Sequence, residues 1–257
     1  MPRSPCPFVW YELMTADAAA AENFYQAVLG WQMQDAGMPG MRYTILSAGS
    51  TPIGGLMALD EAARAAGALP GWIGYLGVDD VDAAARRVVA AGGSIHVPPD
   101  DIPGVGRFSV VADPQRAPFV LFRGATPQAP AQAEPGTPGH VGWHELHAGD
   151  GPEALRFYQD QFGWTADEAM DMGPMGVYQL FTTGGEAVGG VMTKSEGMPR
   201  PCWLFYVNVE SIDAAVERVR THGGQILHGP HEVPGGSWIV QGLDPQGAMF
   251  ALVGPRA

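Results

Sequence analysis

Cysteine is nearly missing from this 257-residue chain: Cys6 and Cys202 are the only two. Two isolated thiols exclude a disulfide scaffold and a Cys-based zinc site, and two reduced side chains are expected. Basic residues are scarce as well, 14 Lys and Arg against 27 Asp and Glu, for a formal net charge of −13. A surface of that sign repels phosphate backbones and anionic lipid, so neither nucleic acid nor a membrane is expected as a partner. No run approaches the roughly 20 consecutive apolar residues of a membrane span. The stretch Met1–Val9 carries one basic residue and three prolines and lacks the apolar core of a secretion signal, so a cytoplasmic location is the default expectation. Also missing are a Walker loop, a dinucleotide fingerprint between strand and helix, and the Gly-x-Ser-x-Gly elbow of a serine nucleophile. What is present is globular material: 46% hydrophobic residues and only 16% charged ones supply enough apolar surface to offset the entropy of ordering.

The chain repeats itself. Trp10-Tyr11-Glu12-Leu13 returns as Trp143-His144-Glu145-Leu146, Phe24-Tyr25 as Phe157-Tyr158, and Gly30-Trp31 as Gly163-Trp164, all 133 positions apart. A register kept without a gap from Trp10 to Trp31 marks a duplication. Further on, Tyr43 answers to Tyr178, Gly54-Gly55-Leu56-Met57 to Gly189-Gly190-Val191-Met192, and Trp72 and Tyr75 to Trp203 and Tyr206. Asp113-Pro114-Gln115 closes the first copy and Asp244-Pro245-Gln246 the second. Between them, residues 124–139 are mostly Gly, Ala, Pro, Gln and Thr, a composition that cannot bury a core. The expected domains are therefore residues 1–123 and 140–257, joined by a linker over 124–139.

Each copy shows the same alternation. A β-rich stretch at Phe8–Met14 precedes Asp17, which can cap a helix over Ala18–Leu29 that Gly30 ends. Strands follow over 43–47, 53–59 and 72–78, with the intervening stretch that holds Met33, Met38 and Met41 read as a loop, like that of Met170, Met172 and Met175. Asp80 opens a second helix over Val81–Ala91, stopped by Gly92-Gly93, and three short strands close the copy at 94–97, 106–111 and 119–122.

A Phe-Tyr pair in the first helix, Gly-Trp at its end, a Gly-Gly-x-Met strand and an Asp-Pro turn before the last strand, repeated in order in both copies, resemble the glyoxalase, bleomycin-resistance and extradiol dioxygenase family, also called the vicinal-oxygen-chelate superfamily. The resemblance spans nearly the whole chain apart from the linker. It implies an α+β protein of two tandem domains, each built of two β-α-β-β-β units whose mixed sheet curls into a cup. In the family that cup commonly holds a divalent metal, which chelates substrate through adjacent oxygens. The positions that supply metal ligands in the family fall here on Trp10 and Trp143, near Ile73 and Leu204, and on Val120 and Ala251. None of these side chains has a donor to give, so no metal cofactor is expected at the usual site.

Strand alternation narrows the remaining candidates. With Trp10 facing inward, Glu12 and Met14 share its face; in the second copy the face is Trp143, Glu145 and His147. A carboxylate in an apolar strand must be paired, hydrogen-bonded or protonated. Glu145 and His147 are thus candidates for an acid–base pair, while Glu12 and Glu145 could equally be structural, satisfied by backbone amides or by a tyrosine such as Tyr75 or Tyr206. Trp10, Trp72, Tyr75, Trp143, Trp203 and Tyr206 are expected as aromatic wall, either around a ligand or filling the cup, with Gln241 as a polar addition where copy one has Val110. His228 and His231, three apart around Gly-Pro, make a weak metal pair, and the other histidines read as surface residues.

The expected function is a tandem protein that binds a small hydrophobic or aromatic metabolite without the usual metal, sequestering it or transforming it through Glu145 and His147. The alternative is a metal-dependent lyase, isomerase or dioxygenase in which Glu145, His147 and a third residue, Gln241 or Glu12, hold a divalent ion. A module with both cups packed shut is a third possibility, and pairing with a second chain is left open.

Overall fold

The computed structural model describes residues 4–38, 40–65, 67–126 and 133–256, so residues 127–132 of the expected linker lie outside the described part. The first copy runs β1 (Phe8–Thr15), α1 (Ala18–Leu29), β2 (Gln32–Asp35), β3 (Tyr43–Ala48), β4 (Thr51–Ala58), a short α2 (Glu61–Ala65), β5 (Gly71–Gly77), α3 (Val81–Ala90), β6 (Ser94–Ile102), β7 (Gly106–Ala112) and β8 (Pro118–Gly124). The second runs β9 (Val141–Ala148), α4 (Gly151–Phe162), β10 (Thr165–Asp171), a 3-10 turn at Gly173–Met175, β11 (Val177–Thr182), β12 (Ala187–Thr193), β13 (Cys202–Asn208), α5 (Ile212–Thr221), β14 (Gln225–Glu232), β15 (Trp238–Leu243) and β16 (Met249–Gly254). The strands form two eight-stranded sheets of identical order, β2-β3-β4-β1-β5-β8-β7-β6 and β10-β11-β12-β9-β13-β16-β15-β14. Both are mixed: β1 runs parallel to β4 and β5 to β8, while β3 and β4, like β7 and β8, are antiparallel.

Local chemistry sets the helix bounds. The Asp17 carboxylate accepts from Ala20 N, and Gly30, left-handed at φ 71°, donates its N–H to Gln26 O. Between these caps Ala21, Phe24, Tyr25 and Val28 form one buried stripe. The second copy repeats this with Asp150, Gly163 at φ 68°, and Ala154, Leu155, Tyr158 and Phe162.

Some elements depart from the sequence expectation. The stretch after each first helix is not all loop, for Met33 lies in β2 and Met170 in β10. Both strands sit at the outer edge of their sheet, exposed on both faces for most of their length. They therefore carry no apolar alternation to read. With them each leading unit becomes a full β-α-β-β-β. β6 also continues past Pro98-Pro99 to Ile102, with register breaks on either side of Val97 that absorb the missing N–H donors.

The chain packs into two compact units, and neither is one copy. Of the described residues, one unit gathers those of 4–9, 74–126 and 143–203, and the other those of 10–73, 133–142 and 204–256. In the latter, Phe24, Tyr25, Val28 and Trp31 of copy one share a core with Val207, Val216, Phe250 and Leu252 of copy two. In the former, Phe119 of copy one meets Tyr158 and Phe162 of copy two at 5.6 and 5.4 Å between ring centres.

The repeated motifs build these joints. Asp113 Oδ1 accepts from the N–H groups of Gln115 and Ala117 at 2.9 Å, closing the Asp-Pro turn, and Oδ2 accepts from Tyr158 OH at 3.2 Å. Asp244 does the same with Gln246, Ala248 and Tyr25. Each turn thus anchors the first helix of the opposite copy. Burial raises both carboxyls above the ordinary range. Among the described residues no helix is long and apolar enough to cross a membrane.

Candidate active site

The most developed polar constellation in the first unit stands on β9. Trp143, Glu145 and His147 alternate along this strand and share a face, as the period of two requires. Trp143 Nε1 donates to Tyr178 OH at 2.7 Å, and that hydroxyl donates to Glu145 Oε2 at 3.0 Å. The other carboxylate oxygen lies 2.7 Å from His147 Nε2, with both side chains only 10% exposed. Nε2 is buried and makes no hydrogen bond across this contact. Burial first and the Glu145 charge second push the Tyr178 hydroxyl well above its ordinary pKa, so it stays protonated and acts as a donor.

Tyr178 reaches Glu145 across a whole strand because that strand is bare at the crossing point. Gly190 of β12 pairs with Glu145 of β9, and a Cβ on Gly190 would overlap the Tyr178 ring. The Gly-Gly motif thus makes room for an aromatic ring to lie on the sheet. In the sequence Tyr178 and Gly190 stand out only as repeat positions; their retention beside Trp and Glu in both copies is the available signal.

The second unit holds the same device without the imidazole. Trp10 Nε1 donates to Tyr43 OH at 3.1 Å, Tyr43 hydrogen-bonds Glu12, and Gly55, paired with Glu12, leaves room for the Tyr43 ring. Where copy two has His147, copy one has Met14. The Trp-Tyr-Glu set is therefore common framework, and the histidine is what distinguishes copy two.

The other expected wall residues divide. Gln241 Nε2 donates to Tyr206 OH at 2.7 Å, and both lie on one row of the sheet through Ala251. Tyr75 is buried edge-on to Phe122, 5.8 Å away. Trp72 and Trp203 go to the helices instead: Trp72 Nε1 donates to Tyr25 OH at 2.9 Å and Trp203 Nε1 to Tyr158 OH at 3.1 Å. Each stands three residues before the corresponding tyrosine, which on a regular strand means the opposite face. An apolar cavity of about 20 Å³ lies on this helix side in the second unit, among Tyr11, Tyr25, Trp31, Trp72, Phe205 and Phe250. It has room for about one water molecule and is a packing void.

His144, on the reverse face of β9, stacks on Phe8 at 4.3 Å and donates from Nδ1 to Val188 O at 2.7 Å. Burial lowers its pKa to about 4, so it is neutral structure and no proton shuttle. The Cys202 thiol is pushed up to about 11, by burial and then by the Glu145 charge, which removes it as a nucleophile. His96, His222, His228 and His231 are exposed and His140 is half-buried.

Two eight-stranded mixed sheets built from duplicated β-α-β-β-β units, with a buried carboxylate on the first strand of each copy, define a tandem α+β fold. The model of the Glyoxalase/Bleomycin resistance protein/Dioxygenase superfamily matches residues 8–121 and 137–252, and the chain belongs to that family. It is 32% identical over 254 residues to CFP32 of Mycobacterium tuberculosis, named as a candidate glyoxylase, covering 96% of this chain and 94% of that one. It is 33% identical over 260 residues to the anthracycline biosynthesis protein DnrV of Streptomyces peucetius, covering 95% and 91%. Among solved structures, the Mn(II)-bound glyoxalase of Novosphingobium aromaticivorans shares the fold, with a TM-score of 0.66 at 18% identity over 99% of this chain and 83% of that one.

The described side chains do not assemble the three-donor set that a metal of the kind the family uses takes. Among the described residues no three His, Cys, Asp or Glu side chains converge where an ion could be held. Glu145 and His147 supply two donors from one strand, one fewer than the roughly three that a catalytic site of this kind takes.

Proposed function

We propose that this protein binds a small hydrophobic or aromatic metabolite and that copy two acts on it through the Glu145–His147 pair, without a metal at the family's usual position. The observation that carries this reading is the buried contact of 2.7 Å between Glu145 Oε1 and His147 Nε2 on a face that also presents the Trp143 indole. Tyr178 holds Oε2 by a hydrogen bond, which leaves Oε1 and the imidazole, in contact but not hydrogen-bonded to each other, as the two groups open to exchange a proton with a ligand beside them. In that step Glu145, as carboxylate, accepts a proton from an acidic position of the ligand, and the imidazole relays it to the oxygen where negative charge develops. Indole and phenol rings around the pair suit a planar apolar ligand. The relative named for anthracycline biosynthesis points the same way, since an anthracycline carries fused aromatic rings.

The test is a titration of EDTA-treated protein with a panel of planar hydroxy- and keto-aromatic compounds, followed by tryptophan fluorescence. At least one compound is expected to quench saturably without added metal. Glu145→Gln and His147→Ala are expected to abolish any exchange of the ligand's acidic proton for deuterium while retaining binding. Binding that appears only when a divalent ion is restored, and is lost in both variants, would establish the metal-dependent alternative instead.

A further inference from the structure

Copy two departs from copy one at a second place, on β14 and β15 of the second unit. At a constant spacing of 131 residues, Val97, Asp100 and Val110 of copy one become His228, His231 and Gln241, while Tyr75 is kept as Tyr206. On a regular strand two residues three apart face opposite ways. Here the register breaks both between Ile226 and His228 and between His228 and His231, so that His228 pairs with Gln241 and His231 with Ile239. Gln241 and Ile239 are two apart on β15 and share a face, and cross-strand partners point the same way. Both histidines therefore stand on the Gln241 face. Their rings agree with this: the centres are 4.2 Å apart with planes tilted by 50°, and both residues are exposed.

We propose that His228 and His231 form a binding site for a borderline divalent transition-metal ion, with Gln241 beside them. Two imidazole nitrogens that share one ion at about 2.0–2.1 Å stand roughly 3.3 Å apart in tetrahedral geometry. Ring centres 4.2 Å apart permit that separation between a nitrogen of each ring. Imidazole favours Cu²⁺, Ni²⁺ and Zn²⁺ over Mg²⁺ or Ca²⁺, and affinities follow the order in which Cu²⁺ binds tightest. The net charge of −13 raises the local concentration of cations. This site uses none of the family's ligand positions, and it is independent of the acid–base role given to Glu145.

Cu²⁺ alone is the probe, titrated into the untagged full chain after EDTA treatment and dialysis and read by electron paramagnetic resonance and calorimetry. One tight Cu²⁺ per chain with nitrogen coupling from two imidazoles is expected. His228→Ala and His231→Ala should each weaken it on the order of a hundredfold, because one ligand of a chelating pair loses the effective concentration of the other. His222→Ala, at an exposed histidine outside the pair, should leave it unchanged. Wild-type affinity in either pair variant, or no bound copper in the wild type, overturns the proposal. Ligand quenching in EDTA is insensitive to both pair variants, so failure here and failure of the aromatic-ligand reading are separate results.

Discussion

Tyr178 carries more of the β9 face than any other single side chain, because its hydroxyl accepts from the Trp143 indole and donates to Glu145 at once. Tyr178→Phe keeps the ring on Gly190 and removes both bonds, leaving a buried carboxylate and a half-buried indole N–H with one hydrogen bond fewer each. The expected loss is about 1–3 kcal/mol of stability in urea denaturation, with Glu145→Gln partly restoring it by removing the buried charge. A second prediction concerns His144. Its folded pKa of about 4 lies below the usual value near 6.5, so its contribution is complete above pH 6.5 and is lost as pH falls towards 4, where the unfolded chain takes up a proton the folded one refuses. The full span is worth roughly 3 kcal/mol. The raised carboxyls of Asp113 and Asp244 work in the opposite direction, destabilising the fold as pH rises above the ordinary carboxylate range, so the histidine is isolated by comparison. Urea midpoints of wild type between pH 7 and 4.5 should fall more steeply than those of His144→Gln. Equal slopes would show that His144 is not held neutral. The shared face of Glu145 and His147 was legible because strand alternation is local. The partner Tyr178 was not, because its reach across β12 depends on strand order, which no spacing in the sequence declares.

Among the elements, the ones that announced themselves are those whose ends are chemically marked. α1 begins and stops where Asp17 and Gly30 dictate, and its extent was readable to the residue. β2, with the sequence Gln32-Met33-Gln34-Asp35, was invisible because an edge strand exposed on both faces owes its form to β3 alone. The two kinds of glycine that mark this fold make separable predictions. Gly30 sits at φ 71° with nothing near a would-be Cβ, so Gly30→Ala is a purely conformational change, expected to cost about 1 kcal/mol, and Gly30→Asn less. Gly190 has ordinary φ but a ring where its Cβ would stand. Gly190→Ala should therefore cost about 1–3 kcal/mol through displacement of Tyr178, and it should disturb the Glu145 site, which Gly30→Ala leaves intact. Thermal melts give the two losses; near-ultraviolet circular dichroism of Tyr178 and Trp143 distinguishes them.

For the molecule as a whole, the unit that repeats in sequence is not the unit that packs. The two repeats end at the linker, yet the core that holds α1 is completed by Val207, Val216, Phe250 and Leu252 from the far side of it, and Tyr25 is tied to Asp244. The same exchange in the other unit ties Tyr158 to Asp113. Repeat matching reveals which residues correspond, but it is silent on whether a copy packs against itself or against its twin, since either arrangement keeps the same residues at the same spacing. Cutting within residues 124–139 therefore separates each helix from half of its core. Fragments 1–123 and 140–257, made separately, are expected to lack cooperative unfolding transitions, exposing the apolar faces of α1 and α4 to water and binding a hydrophobic dye. Mixed or co-expressed, they should reassemble into a species that recovers most of the near-ultraviolet spectrum of the intact chain, because every side chain that builds the shared cores is present on one fragment or the other, while the Gly139 carbonyl that accepts from Trp31 Nε1 is lost with the linker. Two fragments that each melt cooperatively alone, with a midpoint near that of the full protein, would show that the copies are self-sufficient domains and that the shared cores contribute little to stability.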